Sequence, residues 1–316
     1  MRKPLVVVAV GLLLTVLVTQ IAVSPAAGTP QDDPVATALT QVTRGTQWQH
    51  VATIDLQFDA EHPQGMVKLG DRFFISSVEI IEPTQPCPVP CDGYDRTPGR
   101  GVGHLFVVDA TGALLADVTL GEGHMYHPGG IDFDGRWLWV PVAEYRPDSN
   151  AIVYRVDPGS LAVEEAFRVR DHIGGVVRDR VDGHVHGVSW GSRRLYEWTA
   201  GGEQLVRELN ESHFIDYQDC DYLDFRKMVC GGIAGLAAPT GPQFELGGLA
   251  LLDLRSSAIV NEVPVQSYSP ATSHVVTRNP VSLERIARGL RLFAAPDDEE
   301  EGAILVYEAS LSPGRA

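Results

Sequence analysis

Positive charge is in short supply in this chain. Against 41 Asp and Glu stand 25 Lys and Arg, a formal charge of −16 at pH 7, and no basic stripe interrupts the excess. A surface of that sign repels nucleic acid and anionic membranes and favours cations or basic partners, so nucleic acid is excluded as a partner. Cysteine is scarce too. In an oxidising compartment Cys87, Cys91, Cys220 and Cys230 suggest two disulfides, with three connectivities open. Cys220 and Cys230 flank a turn expected around Asp224-Phe225 symmetrically, and Cys87 and Cys91 are spaced to close a small loop. A zinc site is the rival reading, although Cys87-x3-Cys91 has no matching second pair.

Long apolar runs are equally rare. The one at the start, Leu5 to Val18, follows Arg2 and Lys3 and precedes Ser24-Pro25-Ala26-Ala27-Gly28, the order of a secretory signal peptide. Residues 1–28 are therefore expected to be removed on export, which takes Arg2 and Lys3 away and leaves a formal charge of −18. The alternative is an uncleaved membrane anchor, since Leu5 to Val23 is nearly long enough to span, interrupted by Thr19 and Gln20. After cleavage no transmembrane segment is expected, and the chain is expected to act as a monomer. Helical pattern is confined to residues 29–47, where Asp33-Pro34 reads as an N-cap and first-turn proline and Val35, Leu39 and Val42 share a face; a short packing helix to about Arg44 follows.

What the chain has in quantity is glycine and proline, 32 and 21 in 316 residues that are 44% hydrophobic. That suits one all-β domain rich in turns, although length alone would allow two. The clearest stretch runs from His127-Pro128-Gly129-Gly130-Ile131-Asp132 through an Asp134-Gly135 turn to Trp137-Leu138-Trp139-Val140-Pro141-Val142-Ala143-Glu144. Asp-Gly between apolar runs is a strong hairpin signal. Two more strands follow, Ala151 to Asp157 and Leu161 to Val169, joined at Pro158-Gly159.

This unit recurs. His62-Pro63-Gln64-Gly65-Met66 opens a copy ending at Glu79, and in both copies His and Glu lie 17 residues apart. Further copies open at His172-Ile173-Gly174-Gly175 and near Tyr217-Gln218-Asp219-Cys220, so that the openings at 127, 172 and 217 are 45 apart. The larger first interval is accounted for by an irregular insertion, Ile81 to Arg100. A weaker last copy opens at Asn279-Pro280, but Val281 to Ala287 looks more helical than extended, and this copy lacks a fourth strand. Gln49 to Phe58 can supply that strand from the N-terminus and close a ring.

Four-stranded repeats at about 40–50 residues are the signature of a β-propeller. Residues 48–310 are therefore expected to form one of five blades, or six if two repeats have been merged; a β-sandwich would not explain equal intervals. In a blade the start of the first strand and the end of the second share a face, so His62, His127 and His172 should converge with Glu79 and Glu144 at one channel mouth. Tyr217 and Asp219 open the fourth copy at the same level. These seven residues are the candidate ligand-binding set, and loops on a rigid scaffold are where such residues gather.

The three imidazoles and two carboxylates offer a divalent metal site. The structural alternative is that each His-x-x-Gly hydrogen-bonds the neighbouring blade while the glutamates accept backbone N–H groups. The acidic run Asp297-Asp298-Glu299-Glu300-Glu301 reads as a solvated loop, with cation binding as the other reading. Gly187-Val188-Ser189-Trp190-Gly191 matches a nucleophile elbow, which needs a strand-turn-helix context that an all-β chain does not offer. His184 and His186 lie on one side of the same strand.

The segments His62-Pro-Gln-Gly-Met, Tyr126-His-Pro-Gly-Gly-Ile-Asp, Trp139-Val-Pro-Val-Ala-Glu-Tyr-Arg-Pro-Asp-Ser and Tyr154-Arg-Val-Asp-Pro resemble an uncharacterised bacterial family of secreted β-propeller proteins. That resemblance implies a propeller and export, and assigns no catalytic residue. More distantly the blade pattern is similar to calcium-dependent lactonase and gluconolactonase propellers. Their full set of acidic and amide metal ligands has no counterpart here, and histidines occupy the first-strand starts. Three functions follow: an exported propeller that binds a small molecule, sugar or protein at its acidic mouth; a metal-dependent hydrolase built on the His and Glu set; or a structural module of the cell envelope, favoured by a plugged mouth. Fold alone does not choose among them.

Overall fold

The computed structural model describes residues 33–237, 240–241, 244–299 and 302–311. The expected leader, residues 1–28, and Glu300-Glu301 lie outside them. The first described element is a short helix, α1 (Pro34–Leu39). Asp33 caps it, its Oδ1 accepting the N–H of Val35 at 2.6 Å and of Ala36 at 3.1 Å. The helix stops earlier than Arg44 because Gln41 and Val42 bond to carbonyls three residues back, at Ala38 and Leu39, which tightens the last turn. Val42 still joins the core.

Next along the chain come β1 (Trp48–Asp55), then β2 (His62–Leu69), β3 (Arg72–Glu82), a small hairpin β4 (Pro86–Cys91) and β5 (Tyr94–Arg96), and β6 (Arg100–Asp109) with β7 (Leu114–Leu120). Strands β2-β3-β6-β7 form the first blade. The second has an inner strand broken into β8 (Met125–Pro128) and β9 (Asp132–Phe133), both paired with β10 (Leu138–Glu144), followed by β11 (Ala151–Val156) and β12 (Val163–Val169). Blade three is β13 (Ile173–Arg178), β14 (Val185–Ser189), β15 (Arg194–Trp198) and β16 (Gln204–Leu209); blade four is β17 (Asp216–Leu223), β18 (Lys227–Leu236), β19 (Phe244–Asp253) and β20 (Ala258–Val265). The last comprises β21 (Val281–Ile286), β22 (Gly289–Ala294) and β23 (Ala303–Ser310), with β1 as its outer strand.

The fold is thus an all-β propeller of five antiparallel blades among the described residues, and the count of six is set aside. Strand β1 closes the ring, running from Trp48 opposite Ala309 to Asp55 opposite Ala303. One expectation is corrected: Val281–Ile286 is a strand, not a helix. Its Leu-Glu-Arg-Ile run favours helix locally, but pairing from Val281 opposite Ala294 to Ile286 opposite Gly289 satisfies every ladder position, and Val281 is buried in the core. Tertiary pairing overrides local propensity here.

The core is divided as the repeat demands. Five apolar clusters lie between successive blades: Leu105 and Val107 meet Leu138 and Val140; Trp139 and Phe167 meet Tyr196 and Trp198; Leu195 meets Met228 and Leu252. Leu249 and Leu251 meet Leu292 and Leu305, with α1 covering the cluster, and Phe73 and Ile75 meet Phe293 and Ile304. Each blade buries both faces only against its neighbours, so no single blade is self-sufficient. Cys220 and Cys230 stand directly opposite each other on β17 and β18 and are joined, as are Cys87 and Cys91, which leaves no thiol for the zinc reading. Among the described residues no helix is long and apolar enough to cross a membrane.

Candidate functional site

Glycine lets the inner strands meet in the channel. The N–H of Gly130 donates to the carbonyl of Gly174 at 2.8 Å, and that of Val176 to the carbonyl of Gly130 at 3.2 Å, so blades two and three touch backbone to backbone. A Cβ on Gly129 would fall 2.4 Å from the carbonyl oxygen of Gly174, and one on Gly65 would fall 2.6 Å from the nitrogen of Ile131. Asp219 sits against this junction. Its Oδ2 accepts the N–H of Met66 at 2.9 Å and its Oδ1 those of Ile131 at 3.0 Å and Cys220 at 3.1 Å, so one side chain from blade four holds blades one and two. Burial and the neighbouring Asp221 push its pKa up, while the three N–H donors pull it down. Asp219 is thus a staple beneath the candidate site and does not line it.

Beside that floor lies a cavity of about 230 Å³, walled by His62, His127, His172, Tyr145, Trp190 and Tyr217 among others. The three histidines from three consecutive blades therefore do converge. Their surroundings differ. His172 donates from Nδ1 to the carbonyl of Glu144 at 2.8 Å, which leaves Nε2 as its lone pair. His62 Nδ1 lies 2.8 Å from Asp298. That carboxylate also meets Arg278 at 3.0 Å and Asn279 at 2.9 Å; burial opposes its ionisation, but His62, Arg278 and Asn279 outweigh it and hold its pKa below the usual range. His127 is buried, stacks on Tyr145 with ring centres 4.1 Å apart, and has no partner at either ring nitrogen. Burial, with help from His172 and His62, drives the pKa of His127 well down; burial takes that of His172 to about 4. Both are neutral imidazoles at pH 7.

The two glutamates are not in the cavity wall. Glu144 is buried, with Arg146 at 2.5 Å on one oxygen and the amide of Asn150 at 2.7 Å on the other; its part in the site is the carbonyl that orients His172. Glu79 is half-buried on β3, near enough to Glu61 to help raise that residue's pKa, after burial and Asp59. The glutamate side chains make none of the blade-to-blade hydrogen bonds described above, whereas the glycine backbones and the His172 ring do, so the His-x-x-Gly pattern divides its labour between ring and backbone.

Sequence reasoning missed several wall residues. Tyr145 directly follows Glu144, and Trp190 is the fourth residue of the Gly-x-Ser-x-Gly match, whose strand leads into one 3-10 turn rather than a helix. Ser189 lines the cavity with its hydroxyl accepting the N–H of Arg194 at 2.9 Å. The insertion folds toward this mouth: Arg96 lies 4.9 Å from the ring centre of Trp190, and Arg146 lies 3.5 Å from that of Tyr94. The acidic run is not a mere solvated loop either. Asp297 is buried and accepts the hydroxyls of Ser269 at 2.6 Å and Thr272 at 2.5 Å, beside Asp298 on His62. Only an acidic count was visible in sequence, which does not tell a buried carboxylate from a wet one.

A second cluster lies at the far ends of the inner strands. Asp182, His184 and Glu197 bring ligand atoms within 4.8 Å of one another, a spacing the three mouth histidines do not reach. His184 Nδ1 is 2.6 Å from Glu197, and Arg226 reaches across from blade four to Asp179 and Asp182.

The model of a family of unknown function matches residues 20–313. No curated protein matches the chain. Among solved structures it is similar to a luciferin-regenerating enzyme, at 10% identity over 84% of this chain and 95% of the other, with a TM-score of 0.47. It is also similar to the hydrazine synthase of Kuenenia stuttgartiensis, at 15% identity over 80% of this chain, a TM-score of 0.38, and 59% of that longer chain. A member of the duf4221 family from Bacteroides vulgatus matches at 8% identity over 86% of this chain and all of its own, with a TM-score of 0.38.

Proposed function

We propose that this chain, which belongs to the DUF6454 family of unknown function, is an exported binding propeller whose mouth cavity takes a small ring-shaped polar ligand such as a monosaccharide. The observation that carries this is His127: a buried imidazole lining a cavity, with neither nitrogen satisfied by the protein. Buried polar atoms are almost always paired, so an imidazole in a cavity wall with both nitrogens unpaired points to a partner from outside. The cavity's 230 Å³ is smaller than the roughly 300–1,000 Å³ of sites for drug-sized molecules, which favours a compact ligand over a protein segment. Tyr145 and Trp190 offer aromatic faces and Gln64, Gln218 and Ser189 offer polar atoms, a mixture suited to a ring with hydroxyls. Two disulfides accord with an oxidising compartment, and the leader-like start supports export.

A metal-dependent hydrolase has less support, because Glu144 is committed to Arg146 and Asn150 and Glu79 stands outside the wall. A plugged structural module is disfavoured by the cavity itself. Trp190 provides the test. Titrating monosaccharides and small heterocycles should change its fluorescence saturably, and His127→Phe should weaken the best ligand at least tenfold while leaving the circular dichroism unchanged. No saturable response from any compound in a folded protein would overturn the reading.

A further inference from the structure

We infer that the mouth cavity is also a transition-metal site, in which a divalent ion of the zinc type is taken by Nε2 of His62, Nε2 of His172 and a ring nitrogen of His127. This rests on the reading above that the cavity is a ligand site, and it names the chemistry of that site.

The support is in how the rings are held. A metal-ligating histidine nearly always gives its other N–H to a carboxylate or a backbone carbonyl, which fixes the tautomer and aims the remaining lone pair. His62 and His172 have those two partners, Asp298 and the carbonyl of Glu144, each at 2.8 Å from Nδ1. The carbonyl can only accept, so His172 Nδ1 carries the hydrogen and Nε2 does not. Asp298, already beside Arg278 and Asn279, accepts in the same way from His62. His127, placed between them on the intervening blade, has no hydrogen bond to break before it coordinates.

Three imidazole nitrogens suit zinc, iron, nickel or copper rather than calcium or magnesium, which prefer oxygen. Three protein ligands also leave a fourth position open toward the cavity, the pattern of sites where a bound molecule meets the metal. Capture requires closure, since the three rings are not already within mutual ligand range; His127, which packs on Tyr145 and His172 and has no hydrogen bond at either nitrogen, is the ring that turns.

The Asp182–His184–Glu197 cluster is the competing site. There, His184 Nδ1 already faces Glu197 at 2.6 Å, and Arg226 supplies the positive charge that Asp179 and Asp182 need. Those groups account for one another as an ion-pair network, whereas both ring nitrogens of His127 at the mouth are without a partner.

The experiment is titration calorimetry of Zn²⁺ into chelator-treated mature protein, with Co²⁺ absorption as a second readout. One ion per chain is expected. His127→Ala should abolish binding, His62→Asn and His172→Asn should each weaken it at least tenfold, and His184→Ala should leave it unchanged. In the unsubstituted protein, Co²⁺ should give the visible bands of a nitrogen-rich site and shift the ring-proton resonances of His62, His127 and His172, a readout independent of how the variants fold. Absence of binding, or binding lost in His184→Ala and kept in His127→Ala, would overturn the proposal. The broader reading has its own outcome: a monosaccharide or heterocycle that saturates the chelated protein upholds the cavity as a ligand site even when zinc fails to bind.

Discussion

The Nδ1 of His172 donates to the carbonyl oxygen of Glu144, 2.8 Å away, so the last residue of the second blade's β10 fixes the ring that opens the third blade. Burial outweighs that carbonyl, which favours the protonated ring, and keeps His172 neutral, so the folded chain binds fewer protons than the unfolded one once the pH drops below about 6.5. Stability from His172 is full above that value and is lost as the pH falls toward about 4, its pKa in the fold, a loss on the order of 3 kcal/mol. Asp132 acts in the opposite sense, since burial raises its pKa to about 6 and acidification relieves it. The difference between the unsubstituted protein and His172→Phe is therefore the readout: urea midpoints between pH 7 and 4.5 should fall less steeply in the variant.

Asp219→Asn should destabilise the protein by about 2–4 kcal/mol, because the amide presents a donor where an N–H of blade one or two now needs an acceptor. Equilibrium unfolding in urea measures it. A change below 0.5 kcal/mol would mean that the blades are held together without this carboxylate.

Gly129→Ala should cost about 1–3 kcal/mol or more, since the new methyl group meets the backbone of Gly174, which cannot move aside as a side chain can. Gly135→Ala is the comparison: unlike Gly129 it has a positive φ, but open space surrounds it, so only backbone strain of about 1 kcal/mol is expected. Thermal unfolding of the two variants separates crowding from strain.

Mild reductant under native conditions should open Cys87–Cys91 alone. Both of its cysteines are half-buried in the small hairpin, whereas Cys220 and Cys230 are 2% and 0% exposed between the sheets. Alkylation followed by mass spectrometry should find label on Cys87 and Cys91 first. Removing the inner bridge by double substitution to alanine should cost about 2.5 kcal/mol through the freed ten-residue loop.

Much of this architecture was legible because a repeat reports itself. The spacing of His62, His127 and His172 located three inner-strand starts, and the lone strand ahead of His62 was available to complete the last blade. The Val281–Ile286 segment was not legible, since its short-range preference is helical and its strand state depends on partners at 289–294. At the site the histidines could be placed from topology, but their chemistry could not. That His172 faces a carbonyl, that Asp298 rather than Glu79 attends a histidine, and that Asp219 staples backbones are facts about residues 28 to 236 positions apart. Tyr145 and Trp190 carried no repeat signal, because aromatic residues stand in strands for packing as often as at a site.

Strand β1 lies on the rim of the last blade, 261 residues of chain from the far end of its partner, Trp48 beside Ala309. It is made first and satisfied last. Until Ala303–Ser310 have been synthesised, its backbone donors and acceptors have nothing to pair with, and the fifth blade offers an open flank. The ring therefore has a seam, and both halves of that seam are needed at once: trimming either Trp48–Asp55 or Ala303–Ser310 should damage the same sheet, and relocating the chain ends to another inter-strand turn while linking the old ones should leave the circle intact.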